Sequence, residues 1–178
     1  MRYIDLTTLS KIINFILFQA GWWTAVVGQY PNRWLTITSL ALINGITFGG
    51  RRRLFVIFII GLIGIIHDQT LYYAGLFIFS ENTLLLPLWF ASIWWIFIST
   101  FHLSLGFTQG LPRWIQSVFG AIGGSVSYGF GTQIAGVGVP VDFNSQLIIH
   151  ACDFAILFPL LIAGYQYCCK LVKIPSHY

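Results

Sequence analysis

The segment Leu54–Ile66, LFVIFIIGLIGII, has no polar side chain and follows directly on Arg51, Arg52 and Arg53. Such a run needs an apolar medium along its length, while the three cations hold one end in water. The rest of the 178-residue chain repeats the pattern: 57% of residues are apolar and 8% charged, against roughly 25% charged in a soluble domain. A crossing helix needs about 20 predominantly apolar residues for a hydrocarbon core of roughly 30 Å. The chain therefore reads as an all-α polytopic membrane protein, a single transmembrane domain over 1–178 with no length left for a soluble one. Six spans are expected, at about 11–29, 33–49, 54–77, 84–106, 115–137 and 145–169, joined by short loops such as Gly49-Gly50-Arg51.

Counting cations on alternate sides of these spans orients them. Arg2, Lys11, Arg51, Arg52, Arg53, Arg113, Lys170 and Lys173 fall on one side and Arg33 alone on the other, which puts both termini in the cytoplasm of an inner-membrane protein. Glu81 and Asp142 then face outward. The net charge of +4 does not indicate nucleic acid, since a binding face needs Lys and Arg interleaved with exposed aromatics and the one cluster here is a membrane anchor. Cys152, Cys168 and Cys169 read as small apolar residues. The first span lacks an Ala-x-Ala cleavage pattern and carries Trp22-Trp23, so it is expected to be retained as a helix.

Within such a chain the informative residues are the polar ones inside the spans. The third span ends in Ile65-Ile66-His67-Asp68-Gln69. Gly61, Gly64, Asp68, Tyr72 and Gly75 share one helical stripe, while His67 is turned about 100° from Asp68 and is expected to face another neighbour. In the sixth span Gln146, His150 and Asp153 lie on one side. At 1.5 Å per residue Asp68 sits about 21 Å from the cytoplasmic end of its helix and Asp153 about 12 Å from the outer end of its own. The two acids then differ in height by only a few ångströms in a core of roughly 30 Å, and a shared pocket in the outer half is expected. An ionisable residue at such depth costs about 2.5–3.5 kcal/mol on insertion scales and normally faces the bundle interior.

Three readings follow from the residues. Each acid is paired locally and serves packing; or Asp68, His67, His150 and Asp153 bind a polar head or relay protons, as general base and acid if catalysis occurs; or they hold a metal. No HExxH motif is present, so no cofactor is expected; were a metal bound, His150 and Asp153 would be its ligands. Gln19, Tyr72, Trp95, His102, Ser127 and Tyr128 are the further candidates for substrate contact. The fifth span, VFGAIGGSVSYGFGTQIAGV, places Gly120, Gly123, Gly124, Ser127 and Gly131 on one small-residue stripe. Such a stripe lets another helix approach closely, from this chain or from a membrane-protein partner docking at Gly120, Gly124 and Gly131. A serine nucleophile is not supported, since Gly-x-Ser-x-Gly is absent.

The stretches NFILFQAGWWTAVVG (14–28), Asp68 followed by Gly75, PLWFASIWWIFIST (87–100) and GAIGGSVSYGFGTQIAGV (120–137) resemble the bacterial membrane-protein family DUF2878. Ser125 stands where the family pattern has Pro, and the histidine before Ser-Leu is shifted, in His102-Leu103-Ser104-Leu105. Gln19, Trp22, Trp23, Asp68, Gly124, Ser127 and Tyr128 match. The family brings no established activity; its members often sit beside genes for fatty-acid modification, so the resemblance implies a lipid-related role by association. Taken with the residues, it leaves three functions: binding or modifying a membrane lipid or other amphiphile, a small transporter or substrate-capture subunit, or a structural subunit of a membrane complex.

Overall fold

The computed structural model describes residues 6–28, 30–80 and 83–174; Arg2 and Glu81, used in the charge count above, lie outside them. Five α-helices account for most of it: α1 Leu6–Val27, α2 Arg33–Tyr73, α3 Leu88–Ile98, α4 Arg113–Ala135 and α5 Phe143–Leu171, with a 3₁₀ turn over Gly106–Gly110. No β-strand forms among the described residues; a single antiparallel bridge, Ile78 to Gly138, ties the loop after α2 to the loop after α4. Helices α2 and α5 are long and apolar enough to cross a membrane.

Continuous and straight, the 41 residues of α2 would reach about 60 Å. They do not, because Gly50 takes φ 68° and ψ 172°, a conformation open to glycine and strained for other residues. The two expected segments 33–49 and 54–77 are thus the arms of one broken element, and the arms lie side by side. A side chain at Gly45 would strike Leu54 Cδ1 at 2.7 Å, although nine positions of straight helix would hold them about 13 Å apart.

The expected helix over 84–106 is shorter than its apolar run. Helix α3 stops at Ile98, and the chain continues in turns to Gly110. Local hydroxyls compete for the backbone there: Ser99 Oγ donates to the Ile96 carbonyl at 2.6 Å and Thr100 Oγ1 to that of Phe97 at 2.6 Å. Irregular backbone in an apolar setting needs partners within the protein, and buried amides supply them. Asn14 Nδ2 donates to the Ser99 carbonyl at 3.1 Å, Asn14 Oδ1 accepts from the Ser104 amide at 3.1 Å, and Gln116 Nε2 donates to the Thr108 carbonyl at 2.9 Å. Gln109 Nε2 donates to the Phe101 carbonyl. Asn14 and Asn44 are fully buried and bonded to each other at 2.7 Å, joining α1 to the first arm of α2.

The molecule is apolar outside and polar within. Ile16, Ile46, Ile66, Trp114, Ile122, Ile156 and Leu160 are exposed, while Asn14, Asn44, Asp68, Gln116, Gln146 and His150 are buried. The main apolar core, built around Ile57, Ile60, Trp94, Phe101, Phe158 and Leu161, lies where the second arm of α2 meets α3 and α5. The small-residue stripe of α4 is taken up inside the chain: a side chain at Gly120 or Gly124 would meet the Phe154 carbonyl or ring on α5 at 2.2 Å, and one at Gly131 would meet Trp22 of α1 at 3.3 Å. The close approach offered by Gly120, Gly124 and Gly131 thus serves packing inside the chain, while Gly123 of the same stripe is exposed with nothing within 4 Å of an added Cβ.

Asp142 starts α5 as its N-cap. Its carboxylate accepts from the Asn144 and Ser145 amides at 3.1 Å and from the Ser145 hydroxyl at 2.6 Å. The Ser145 hydroxyl and the amides hold this exposed carboxyl below the usual aspartate range. The cap's contribution is therefore present above the unfolded value of about 3.9 and is lost as pH falls through the lower folded value. The expected result is a Ser145 amide NMR shift that titrates with a midpoint below about 3.9, with no titration in Asp142→Asn.

Candidate functional site

Asp68 and Asp153, from α2 and α5, meet on the imidazole of His67. Nδ1 of His67 lies 3.1 Å from Asp68 Oδ1, and Nε2 lies 2.9 Å from Asp153 Oδ1. The other Asp68 oxygen accepts from Trp94 Nε1 at 2.7 Å and from the Tyr128 hydroxyl at 2.6 Å. Helices α2, α3 and α4 thus meet at the Asp68 carboxylate, and α5 joins them through His67. His67 and Asp68 bond different neighbours, as their divergence of about 100° predicts: His67 reaches Asp153 of α5, and Asp68 reaches Trp94 of α3 and Tyr128 of α4; in addition the His67 ring places Nδ1 over Asp68.

Small residues admit the large ones. A side chain at Gly64 would fall 2.2 Å from the Trp94 ring, so its absence lets the indole lie on α2 one turn before Asp68 and deliver its N–H. Gly124 makes the same room for Phe154, whose ring stacks on Trp94 with centroids 6.2 Å apart and meets His67 edge-on at 6.4 Å. Tyr128 is packed against Phe154 at 5.0 Å and His150 at 4.8 Å. The loop after α2 closes the end of the site with Phe77, whose ring lies parallel to that of His150 at 5.9 Å.

Accessibility falls along the trio. The side chains of His67 and Asp153 are 20% and 24% exposed, and that of Asp68 is 1% exposed. The cavity bordered by Tyr128 has about 30 Å³, room for about two water molecules, and its lining does not include His67, Asp68 or Asp153. Around His67 the surface is apolar, with Ile63, Ile66, Ile149 and Ile156 exposed.

The hydrogen bonds fix a proton count. Each of the two N···O contacts needs one hydrogen, so the trio holds at least two exchangeable protons, and two suffice. Either His67 is an imidazolium between two carboxylates, or it is neutral beside one protonated acid. Both arrangements carry a net charge of −1, and a proton passes between Asp68 and Asp153 through the ring without changing that charge. Oδ2 of Asp153 is itself buried and has no hydrogen-bond partner among the described residues.

The other candidates fall elsewhere. His150 is fully buried, and its two ring nitrogens lack hydrogen-bond partners among the described residues; Gln146, one turn before it, donates to Thr132 Oγ1 at 2.7 Å. Tyr72 donates to the Thr83 carbonyl at 2.6 Å in the loop. Ser127 accepts from Trp22 Nε1 at 3.0 Å, and Gln19, half-buried on α1, makes no hydrogen bond to the trio. Trp95, the tryptophan named from sequence, stacks on Phe58 at 5.8 Å, and Trp94 takes the place at Asp68. His102 lies in the turns after α3, near Arg53. Among the described residues no group of three or more His, Cys, Asp or Glu side chains is arranged to hold a metal ion.

An all-helical chain with an apolar surface, a buried polar network and two helices long and apolar enough to cross a membrane defines a helical class of protein with candidate membrane spans. Within that class it belongs to the DUF2878 family, described as a protein of unknown function, whose model matches residues 11–160. The match includes His67, Asp68, Trp94, Tyr128 and Asp153. No curated protein and no solved structure matches the chain.

Proposed function

We propose that this chain is a multi-pass inner-membrane protein that binds the polar head of an amphiphile at His67 and Asp153, with Asp68 as the proton-exchanging group behind them. The observation that carries the reading is the imidazole held between carboxylates of two helices, exposed on one side among isoleucines. A molecule dissolved in the bilayer meets that opening laterally, its chain along Ile66 and Ile156 and its head on the trio. The trio carries a net negative charge and its exposed members, His67 and Asp153, present nitrogen and carboxylate acceptors, so the fitting head donates hydrogen bonds, as a hydroxyl or amine does. With one carboxyl and His67 sharing a mobile proton, the same site serves general acid and base steps on that head.

The reversal at Gly50 supports the topology. It returns α2 to the side from which it started, so the two arms are separate crossings, and the turns after α3 complete a fourth. Six crossings leave Arg51–Arg53 and both ends of the chain on the cytoplasmic side.

A photoreactive residue in place of Ile66, illuminated in native membranes, tests the binding. The expected adduct is enriched in lipids with hydroxyl or amine heads and falls at least several-fold in Asp153→Asn. Adducts that mirror bulk lipid composition in both proteins would overturn the reading.

A further inference from the structure

A second opening lies at the other end of α2. Between the arms, Thr38, Ala41, Leu42, Leu54, Phe55 and Phe58 line a groove of about 440 Å³, closed on one side by Trp95. That volume falls within the range of about 300–1,000 Å³ typical of ligand pockets. We propose that this groove seats one acyl chain of an anionic phospholipid whose phosphate pairs with Arg51.

Three observations commit the groove to that occupant. Its walls are apolar and open sideways, with Leu42, Phe55 and Phe58 at 44%, 56% and 47% exposure, so a chain enters from the bilayer. Arg51 lines the same groove at the Gly50 break, which places a cation where a seated chain would present its head. The arginine cluster has no internal anion among the described residues. Asp68 and Asp153 are joined at His67, Asp142 caps α5, and the contacts of Arg52 and Arg53 run to the Lys173 and Phe48 carbonyls at 3.5 Å. A guanidinium suits a phosphate because its donors form a planar fork, and basic clusters beside a crossing helix attract anionic lipid. The groove turns that general attraction into a seat. On the second arm its lining runs from Arg51 to Phe58, so its near edge is 9 positions from His67, about 13 Å along the helix.

The test uses the whole chain in phosphatidylcholine nanodiscs, with a trace of either phosphatidylglycerol or phosphatidylcholine carrying a diazirine in one tail. After illumination, labels are mapped by peptide mass spectrometry. Phosphatidylglycerol is expected to label Leu42, Leu54 and Phe55 about fivefold more than phosphatidylcholine does. Arg51→Gln, an exposed substitution, removes that preference, and Arg52→Gln, which does not line the groove, keeps it. Equal labelling by the two lipids in the unmodified protein overturns the proposal. So does equal loss in Arg51→Gln and Arg52→Gln, which marks diffuse surface charge, and so does labelling spread evenly to outward residues such as Ile122 and Leu160.

Discussion

Asp68→Ala is expected to cost roughly 3 kcal/mol of stability, whereas Asp68→Asn keeps the fold and stops the proton. Alanine leaves the Trp94 N–H and Tyr128 O–H without the acceptor they now reach at 2.7 and 2.6 Å. In membrane proteins one such interhelical bond is worth about 0.6 kcal/mol on average and about 1.7 at most, because an unfolded chain in the bilayer also finds partners. Two bonds taken at the upper end give roughly 3 kcal/mol. Against a total stability of about 5–15 kcal/mol that loss shows as a clear shift in unfolding by heat or by SDS titration.

Asparagine fits where alanine fails. Its oxygen still accepts from Trp94 and Tyr128, and its amide donates to His67 Nδ1, which leaves Nε2–H to donate to Asp153. That arrangement has one tautomer and no route for a proton to Asp68. Asp68→Asn is accordingly expected to unfold near the unmodified protein and to retain the Ile66 adduct, while any proton-dependent conversion of the bound amphiphile is lost. Unfolding of Asp68→Asn as early as Asp68→Ala would show that the carboxylate's charge, not its shape, holds the helices. Stability of Asp68→Ala equal to the unmodified protein would mean that the four-helix convergence contributes nothing.

Much of this site can be read in the sequence because charge is scarce there. In a run such as IIGLIGIIHDQ the polar residues stand out against a uniform background, and the depth argument from 1.5 Å per residue brought Asp68 and Asp153 to one level; they meet at His67. The break at Gly49-Gly50-Arg51 was legible as punctuation. What uniform apolarity hides is the helix face. Trp94 and Trp95 differ by about 100° on α3, and all their neighbours from Leu88 to Ile98 are apolar except Ser92, so periodicity could not say which indole turns inward. The choice is made by Gly64 on a different helix, a tertiary fact. The end of α3 at Ile98 was hidden for a related reason: Ser99 and Thr100 are tolerated in membrane helices, and the amides that favour turns there come from Asn14, Gln116 and Gln109. Asn14 did offer a signal, as the one polar side chain in IINFILF; an amide so placed demands a partner at depth.

Gly124→Leu is expected to disrupt assembly, and the neighbouring Gly123→Ala is the measure of how local that effect is. A Cβ at Gly124 would lie 2.2 Å from Phe154 Cγ and 2.4 Å from Phe154 Cβ, and rotating the ring does not move that Cβ, which the α5 backbone fixes. The backbone of α4 must then move off α5. Extra methylenes in a packed core typically cost about 1–3 kcal/mol each site, and leucine adds a branched side chain where not even one carbon fits. Displacing Phe154 also shifts the wall that aligns His67 and Trp94, so the site is lost with the helix contact. At Gly123 an added Cβ meets nothing within 4 Å, and alanine gains up to about 1 kcal/mol of helix propensity. The expected size-exclusion profiles in mild detergent are aggregated for Gly124→Leu and monodisperse for Gly123→Ala, the latter with unchanged or higher resistance to SDS. A monodisperse Gly124→Leu would mean that α4 and α5 do not meet along this stripe, and the position of Tyr128 at Asp68 would fall with it.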